Sequence, residues 1–290
     1  MERSESRQPM EDKVIATMST QAEKGQSFRA LHEREGAFII PNPWNPGTAK
    51  LLAHLGFEAL ATTSMGYAFS VGKRDGKIER DEALAHCAEI VAATNLPVSA
   101  DLENGFGDAP EAAAETIRLA AGAGLVGGSI EDATGREDQP IYELKHAAER
   151  VRAAVAAARA LPFPFTLTAR AENYLHGRPD LKDTIARLQA YQEAGAGVLY
   201  APGLAAKDDI AAVVRSVDRP VNVIMGLRGG QLSLAELAAI GVKRISVGSA
   251  LARAALGAFL RGAREMREQG TFTFAAEAVN SREISEIFKT

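Results

Sequence analysis

The stretch EAAAETIRLAAGAGLVGGSIED, residues 111–132, contains one complete structural unit of this chain. Its first half places alanine, isoleucine and leucine at the spacing of an amphipathic helix, and its second half ends in a short run typical of a buried strand. Gly124 stands just before that strand, where a helix C-cap is expected. The stretch therefore predicts a helix that is joined to a strand through a glycine.

The same joint occurs four times, as AHLGF, AGAGL, EAGAG and AAIGV. The strand-like runs are FIIPNPW (38–44), ALATTS (59–64), PVSADLE (97–103), GGSIED (127–132), FTLTARA (165–171), VLYAPG (198–203), PVNVIM (220–225) and RISVGS (244–249). Strands that alternate with helices pair in parallel. Eight units in about 250 residues predict an α/β fold, a (β/α)8 TIM barrel. An open doubly wound sheet is the alternative, but it usually has a glycine-rich first turn, which this sequence lacks.

The domain organisation follows from the same pattern. We expect residues 1–20 to be a disordered extension and residues 21–290 to be a single barrel domain. Within that domain, residues 21–35 predict a lead-in helix, and residues 273–290 predict an extra helix after the eighth unit.

Composition restricts the class of protein. The 290 residues contain no long apolar span, so we expect a soluble protein without a membrane helix. The N-terminus lacks the apolar region of a secretory signal, and the single cysteine, Cys87, favours a cytoplasmic location. The formal net charge of −4 argues against a nucleic-acid partner.

Charged and polar residues lie at the predicted strand ends, where barrel active sites are found. Asp101 and Glu103 end the third strand, Glu131 the fourth and Arg170 the fifth, and Asn222 lies on the seventh. Residues i and i+2 of a strand share a face, so we expect Asp101 and Glu103 to lie side by side. Acids that converge in this way repel each other unless a cation neutralises them, and oxygen-only ligands suit Mg²⁺, or Mn²⁺.

Structural roles are the alternatives for several of these residues. Asp132 can cap the helix that follows it, Arg170 can be an ion-pair partner alone, and Asp75 is by spacing only a turn residue. Asp101 and Glu103 fit such a role less well, because neither immediately precedes a helix.

The ordered motifs over roughly residues 27–260 resemble the isocitrate lyase and phosphoenolpyruvate mutase superfamily, whose members are Mg²⁺-dependent barrels. The resemblance implies that Asp101, Glu103 and Glu131 hold the metal, largely through water. It implies a catalytic role for Asp75, in GKRDG, and for Arg170, in TARAEN, which also binds a substrate carboxylate or phosphonate.

The resemblance also implies a substrate-binding segment. Ser64, Met65 and Gly66 match the residues that hold the substrate's carboxylate and keto oxygen, and Asn222 is predicted as a further substrate-binding residue. The implied chemistry passes through an enolate of pyruvate.

Two departures from the family pattern narrow the implied function. The loop DATGREDQPIYELKH lacks the Cys-Gly-His motif of the lyase branches, and Pro202 stands near the position of their strand 6 glutamate. We therefore expect C–C bond cleavage of a small α-keto (di)carboxylate, such as oxaloacetate decarboxylation or a related lyase step. The alternatives are C–P bond chemistry, a binding protein without turnover, and phosphate binding by the loops IMGLRGGQ and SVGSA after the last two strands.

Family members are usually tetramers that exchange the eighth helix between subunits, so the resemblance implies a homo-oligomer, dimer or tetramer, with a swapped C-terminal helix. Phe272, Phe274 and Phe288 would then pack on a neighbouring subunit, because exposed apolar side chains need cover.

Overall fold

A computed structural model describes residues 19–226 and 231–289 of the chain. Within these residues, eight parallel strands form one sheet: β1 (Phe38–Ile40), β2 (Leu60–Ala61), β3 (Val98–Asp101), β4 (Gly127–Glu131), β5 (Thr166–Arg170), β6 (Val198–Tyr200), β7 (Val221–Ile224) and β8 (Arg244–Ser246). Each strand from β2 to β7 pairs with the next one, and β8 pairs with β1. Ala61 N–H donates to the Pro41 carbonyl (3.0 Å), which joins β1 to β2. The predicted (β/α)8 barrel is confirmed.

Helices surround the barrel: α1 (Gln21–Glu33), α2 (Pro46–His54), α3 (Ser64–Ser70), α4 (Arg80–Ala93), α5 (Pro110–Gly122), α6 (Leu144–Arg159), α7 (Leu181–Glu193), α8 (Lys207–Arg215), α9 (Leu234–Ala239), α10 (Ala250–Gln269) and α11 (Ser281–Ile287). The four predicted joints are confirmed by their backbone angles. Gly56, Gly124, Gly195 and Gly241 have φ of 84°, 89°, 101° and 88°, the left-handed conformation in which glycine ends a helix.

The lead-in helix α1 closes the amino-terminal end of the barrel. Its capping box pairs the Thr20 hydroxyl with the backbone of Glu23, and the Glu23 carboxylate accepts from Thr20. Phe28 of α1 packs with Phe38 and Val126, which lie at the amino ends of strands. The opposite end of the barrel is left open for the site.

The extra helix predicted after the eighth unit is confirmed, but it is shorter than residues 273–290. A short 3₁₀ helix covers Thr273–Glu277, and α11 begins separately after Asn280. The Asn280 side chain accepts from Arg282 N–H (2.9 Å), so Asn280 caps the start of α11 and separates it from the 3₁₀ helix. Phe272, Phe274 and Phe288 are exposed on the isolated chain, at 67%, 40% and 40%.

Parts of the predicted organisation lie outside the described residues. These include residues 1–18 of the expected N-terminal extension, and residues 227–230 of the glycine-rich loop after β7. The single domain over residues 21–290 stays a prediction. In the described part of the chain, no helix is long and apolar enough to cross a membrane.

Candidate active site

The carboxyl ends of the strands surround a cavity of about 930 Å³. Eight of the predicted residues line it: Ser64, Met65, Asp75, Asp101, Glu103, Glu131, Arg170 and Asn222. The ninth, Gly66, does not line this cavity, because it lies in the first turn of α3 and its N–H donates to Thr63 Oγ1 (3.2 Å). A Cβ at Gly66 would lie 2.5 Å from Thr63 Cγ2, so this tight cap requires glycine.

Arg170, at the end of β5, is the centre of the site. Its Nε donates to Glu172 Oε1 (2.8 Å) and its Nη1 to Asp101 Oδ1 (2.8 Å), and its Nη2 lies 3.1 Å from Glu131 Oε2. Burial opposes the charged form, but these carboxylates outweigh it and raise the pKa of Arg170 above its ordinary value. The guanidinium is therefore a fixed positive charge among three acids.

Asp101 connects the arginine to the start of α3. Besides Arg170, it accepts hydrogen bonds from Ser64 Oγ (2.8 Å) and Ser64 N–H (3.3 Å) at the same oxygen, Oδ2. The groups predicted to hold a substrate, the Ser64 donors and Arg170, thus meet at one carboxylate.

Glu103 does not extend β3, so its expected side-by-side position on the strand is wrong. The strand ends at Asp101, and Glu103 has a φ of 48°, a left-handed conformation that is costly for a residue with a side chain. Arg150 of α6 fixes the loop that follows: its guanidinium donates to the Gly107 carbonyl (2.6 Å) and to the carbonyl of Asn104. The loop still brings Glu103 to the cavity wall.

Burial and the charges of neighbouring carboxylates raise the pKa values of three acids of the cavity, Glu103, Glu131 and Asp75. Burial first, and then the charges of Asp101 and Asp75, raise the pKa of Glu103 to about 7. Burial also raises the pKa of Glu131 well above its ordinary value, against the opposing effect of Arg170. At Asp75, on the exposed rim, burial and then the Asp101 charge raise the carboxyl pKa.

The charges around the cavity do not balance. Of the described residues that line it, two carry guanidinium groups and seven carry carboxyl groups: Asp75, Glu79, Asp101, Glu103, Asp108, Glu131 and Glu172. Such an excess of carboxyl groups favours a bound cation.

The donor set fits Mg²⁺ or Mn²⁺. The acids offer only oxygen ligands, which hard divalent cations prefer. No trio of acid, histidine or cysteine side chains in the described residues is already assembled at ligating distance. A cation that keeps several of its waters, as Mg²⁺ does, needs no such trio and would be held largely through water.

The loop after β4 is a short hairpin pinned to the loop after β3. Thr134 N–H donates to the Pro140 carbonyl (2.9 Å), which closes the hairpin. Arg136 Nη1 donates to Asp108 Oδ2 (2.5 Å), and the Tyr142 hydroxyl donates to the same carboxylate. The hairpin thus forms a fixed wall of the cavity beside Thr134.

Asp132 does not cap the next helix. It lies behind the strands, where it accepts from Arg187 Nη1 (3.0 Å), the Tyr191 hydroxyl (2.5 Å) and Glu172 N–H (2.7 Å). Only 2% of Asp132 is exposed, so its role is structural.

Several residues of the cavity were not among the predicted site residues, although Glu172 was noted at a strand end and His176 in a loop beside the site. Glu172, His176, Tyr200, Arg244 and Ser246 also line it. The signal for Glu172 was its i+2 spacing from Arg170, and the signal for Arg244 was a charged residue at the start of a buried strand, two positions before Ser246. His176, in the loop after β5, offers no such periodic signal.

Known proteins resemble this chain over most of its length. The family model of phosphoenolpyruvate phosphomutase matches residues 28–267. A crystal structure from Burkholderia cenocepacia J2315, provisionally assigned as a lyase/mutase, is 70% identical with a TM-score of 0.91 over 93% of this chain and 97% of that one. The oxaloacetate decarboxylase of Chromohalobacter salexigens is 26% identical over 270 residues, 91% of this chain and 90% of that protein. A phosphonopyruvate hydrolase crystallised with oxalate and Mg²⁺ is 25% identical, with a TM-score of 0.81 over 92% and 95% of the two chains.

Proposed function

Because the chain belongs to the phosphoenolpyruvate phosphomutase family, we propose that it is a Mg²⁺-dependent enzyme that cleaves a C–C bond of a small α-keto dicarboxylate. The membership confirms the resemblance predicted from the motifs. The family's relatives are lyases, hydrolases and mutases, so the chain is an enzyme. The observation that carries the proposal is the excess of carboxyl groups around Arg170 at the barrel mouth.

Asp101, Glu103 and Glu131 are the residues that would hold the metal, and Mn²⁺ is an alternative to Mg²⁺. When bound, the cation withdraws electron density from the keto group and stabilises developing negative charge. Its charge would also relieve the repulsion that raises the pKa values of Glu103 and Glu131.

The chain's own groups orient the substrate. We assign Arg170, Ser64 and Asn222, which line the cavity, to the binding of a substrate carboxylate; the Ser64 N–H and hydroxyl, which donate to Asp101 Oδ2, would then be shared between Asp101 and the substrate. Met65 contributes an apolar wall. Donors that are fixed before the substrate arrives are more effective than mobile ones, because they need no reorganisation during the reaction.

Oxaloacetate decarboxylation is the reference reaction. Loss of CO₂ leaves the electron pair of the broken C–C bond in the enolate of pyruvate, which then takes up one proton. We assign Asp75, at the solvent-exposed rim, to position the water that delivers this proton. Cys87 does not serve as the acid, because burial raises the pKa of its thiol to about 12 and it lies behind Thr62.

The test is turnover of oxaloacetate by purified protein, with products identified by NMR. Pyruvate would indicate decarboxylation, whereas oxalate with acetate would indicate hydrolysis; a parallel sample with phosphonopyruvate tests the C–P alternative. We expect a rate above that of free Mg²⁺, lost in EDTA and reduced by about a hundredfold or more in Asp101→Ala. Asp138→Ala, an exposed acid of the hairpin after β4, is the matched control and should keep full activity.

Two results would contradict this proposal in different ways. Activity that survives EDTA or Asp101→Ala would place the chemistry elsewhere. Absence of turnover, together with a melting temperature raised by oxalate and Mg²⁺, would favour a binding protein without turnover.

We also propose that the chain forms a homo-oligomer through its C-terminal segment. Phe259, Phe272 and Val279 are exposed at 71%, 67% and 61% on the isolated chain, and such apolar residues need cover. Sedimentation at micromolar concentration should give a dimer or tetramer, and Phe272→Ser with Phe259→Ser should shift it toward monomer. A monomeric wild-type protein would contradict this proposal. The cytoplasmic location remains a prediction.

A further inference from the structure

A second arginine, Arg244, lies at the floor of the cavity, toward the amino ends of the strands, and no acid of the described residues pairs with it. Arg244 begins β8, is 5% exposed and still lines the cavity. Its neighbours in the sheet are Phe38 and Asn222, and Ser246 follows it on the same face of the strand. Barrel interiors are normally filled by branched apolar side chains, so a guanidinium in this layer is unusual.

Within residues 19–226 and 231–289, the hydrogen-bond partners of Arg244 are uncharged groups. Its Nε donates to Asn222 Oδ1 (2.8 Å), its Nη2 donates to Thr168 Oγ1 (3.0 Å), and its Nη1 lies 3.4 Å from His32 Nε2. Across the described residues, no carboxylate lies within ion-pair distance of this guanidinium.

His32 does not supply negative charge either. Its Nδ1 lies 2.8 Å from the Phe28 carbonyl, which can only accept, so Nδ1 carries the proton and Nε2 accepts from Arg244. Burial first, and then Arg244, lower the pKa of His32 to about 3, which keeps the ring neutral.

The two ends of the cavity therefore differ in charge: acids surround Arg170 at the rim, whereas Arg244 brings a positive charge to the floor. At the rim, Arg170 is neutralised by Asp101, Glu131 and Glu172. At the floor, burial and the like charge of Arg170 lower the pKa of Arg244 to about 10, although it stays charged at neutral pH. A buried charge without a counterion is costly, and an anionic group of a ligand that reaches the floor would relieve that cost.

We propose that Arg244, with Asn222 and Ser246, binds the second carboxylate of the substrate, the one remote from the acidic rim. This inference rests on the proposed function and narrows its substrate class to dicarboxylates, because a monocarboxylate leaves Arg244 without an anionic partner. The metal and Arg170 then act on the α-keto end, and Arg244 selects for a dicarboxylate.

Calorimetric titration of a matched ligand pair tests this selection. Malate and lactate are both 2-hydroxy acids that differ by one distal carboxylate, and oxalate occupies the α-keto end alone. In Mg²⁺, with ligand recovery checked by NMR, wild-type protein should bind malate at least about tenfold more tightly than lactate. Arg244→Gln should remove this preference and leave the affinities for lactate and oxalate within about twofold.

Other outcomes would overturn the assignment. A malate preference that persists in Arg244→Gln, or an equal loss of all three ligands, would make Arg244 a structural residue. Wild-type protein that binds oxalate but does not prefer malate would overturn the floor site and leave the proposed function standing. Wild-type protein that binds none of them in Mg²⁺ would overturn both.

A second measurement decides the matter if Arg244→Gln does not fold. In a crystal structure of the wild-type protein with malate and Mg²⁺, we expect a malate carboxylate within hydrogen-bond distance of the Arg244 guanidinium. Malate with both carboxylates at the rim would overturn the assignment.

Discussion

Glu131 and Asp132 are consecutive residues at the end of β4, and each meets an arginine on its own side of the strand. Glu131 faces into the barrel, 3.1 Å from Arg170, and Asp132 faces the helices, 3.0 Å from Arg187. We call the first group the inner cluster, which consists of Asp101, Glu103, Glu131, Arg170 and Glu172, and the second the outer cluster. The outer cluster consists of Asp132, Asp183, Arg187 and Tyr191.

The two clusters differ in how completely their charges are satisfied. In the outer cluster, Asp132 accepts from a guanidinium, a hydroxyl and a backbone N–H, and Arg187 also bonds Asp183 (2.7 Å). The inner cluster opens onto the cavity, where carboxyl groups outnumber guanidinium groups. The outer cluster satisfies its own charges, whereas the inner cluster leaves an excess of carboxyl groups, which favours a bound cation.

The outer cluster also supports the inner one. Glu172 donates its backbone N–H to Asp132 (2.7 Å), and its side chain accepts from Arg170 Nε (2.8 Å). Asp132 therefore fixes the strand end from which Arg170 and Glu172 project.

The largest expected effect on stability is at the centre of the outer cluster. Asp132→Asn leaves Arg187 without its buried counterion, so we expect a loss of about 3 kcal/mol and a fall in melting temperature of roughly 6–12 °C. Asparagine keeps an oxygen for Glu172 N–H, so turnover per folded molecule should change only severalfold. Calorimetry, with Asp138→Asn as the exposed control, checks this prediction. An unchanged melting temperature would show that the outer cluster does not hold the fold.

The next effect is of opposite sign and belongs to the inner cluster. Glu103 has a folded pKa of about 7, above its unfolded value, so the folded state binds the extra proton and loses stability as the pH rises toward 7. In EDTA, Glu103→Gln should match the wild type near pH 4.5 and exceed it by about 1 kcal/mol at pH 8, after allowance for solvent screening.

Chemical unfolding at the two pH values measures this difference. Glu79→Gln, another acid of the cavity wall, is the comparison variant. A Glu103→Gln protein that is less stable than the wild type at pH 8 would mean that Glu103 is already compensated within the chain.

The smallest effect sharpens the comparison at the edge of the outer cluster. Asp183 is one helical turn from Arg187, and its side chain is 38% exposed. Asp183→Asn should therefore cost no more than about 0.5 kcal/mol, or roughly 1–2 °C, with no effect on turnover. A loss as large as that of Asp132→Asn would show that burial does not separate the two acids.

Repeated local signals made the fold predictable. Helix periodicity, short apolar runs and glycine joints recur along the chain, and each joint depends only on the few residues around it. Gly56 and Gly195, for example, take the left-handed conformation that their positions indicated. The break within the C-terminal segment was not predicted, because the sequence pattern around Asn280 does not distinguish the start of a new helix from a continuation.

The inner cluster was predicted from strand ends and from the family likeness, and its geometry was not. The left-handed turn at Glu103 is followed by a loop that is fixed by hydrogen bonds from Arg150, 47 residues away from Glu103 along the chain. Arg244 was missed because its significance lies in what it lacks, a carboxylate partner, and that depends on the packing of several strands. The outward direction of Asp132 depends equally on Arg187 and Tyr191, which come from α7.

Oxalate binding by calorimetry, in Mg²⁺ and in EDTA, tests most directly whether the inner cluster is a metal-dependent keto-acid site. The wild-type protein should bind one oxalate per chain in Mg²⁺ and none in EDTA, and Asp101→Asn should abolish binding while Asp132→Asn retains it. Oxalate binding of equal strength in EDTA, or in Asp101→Asn, would contradict the account.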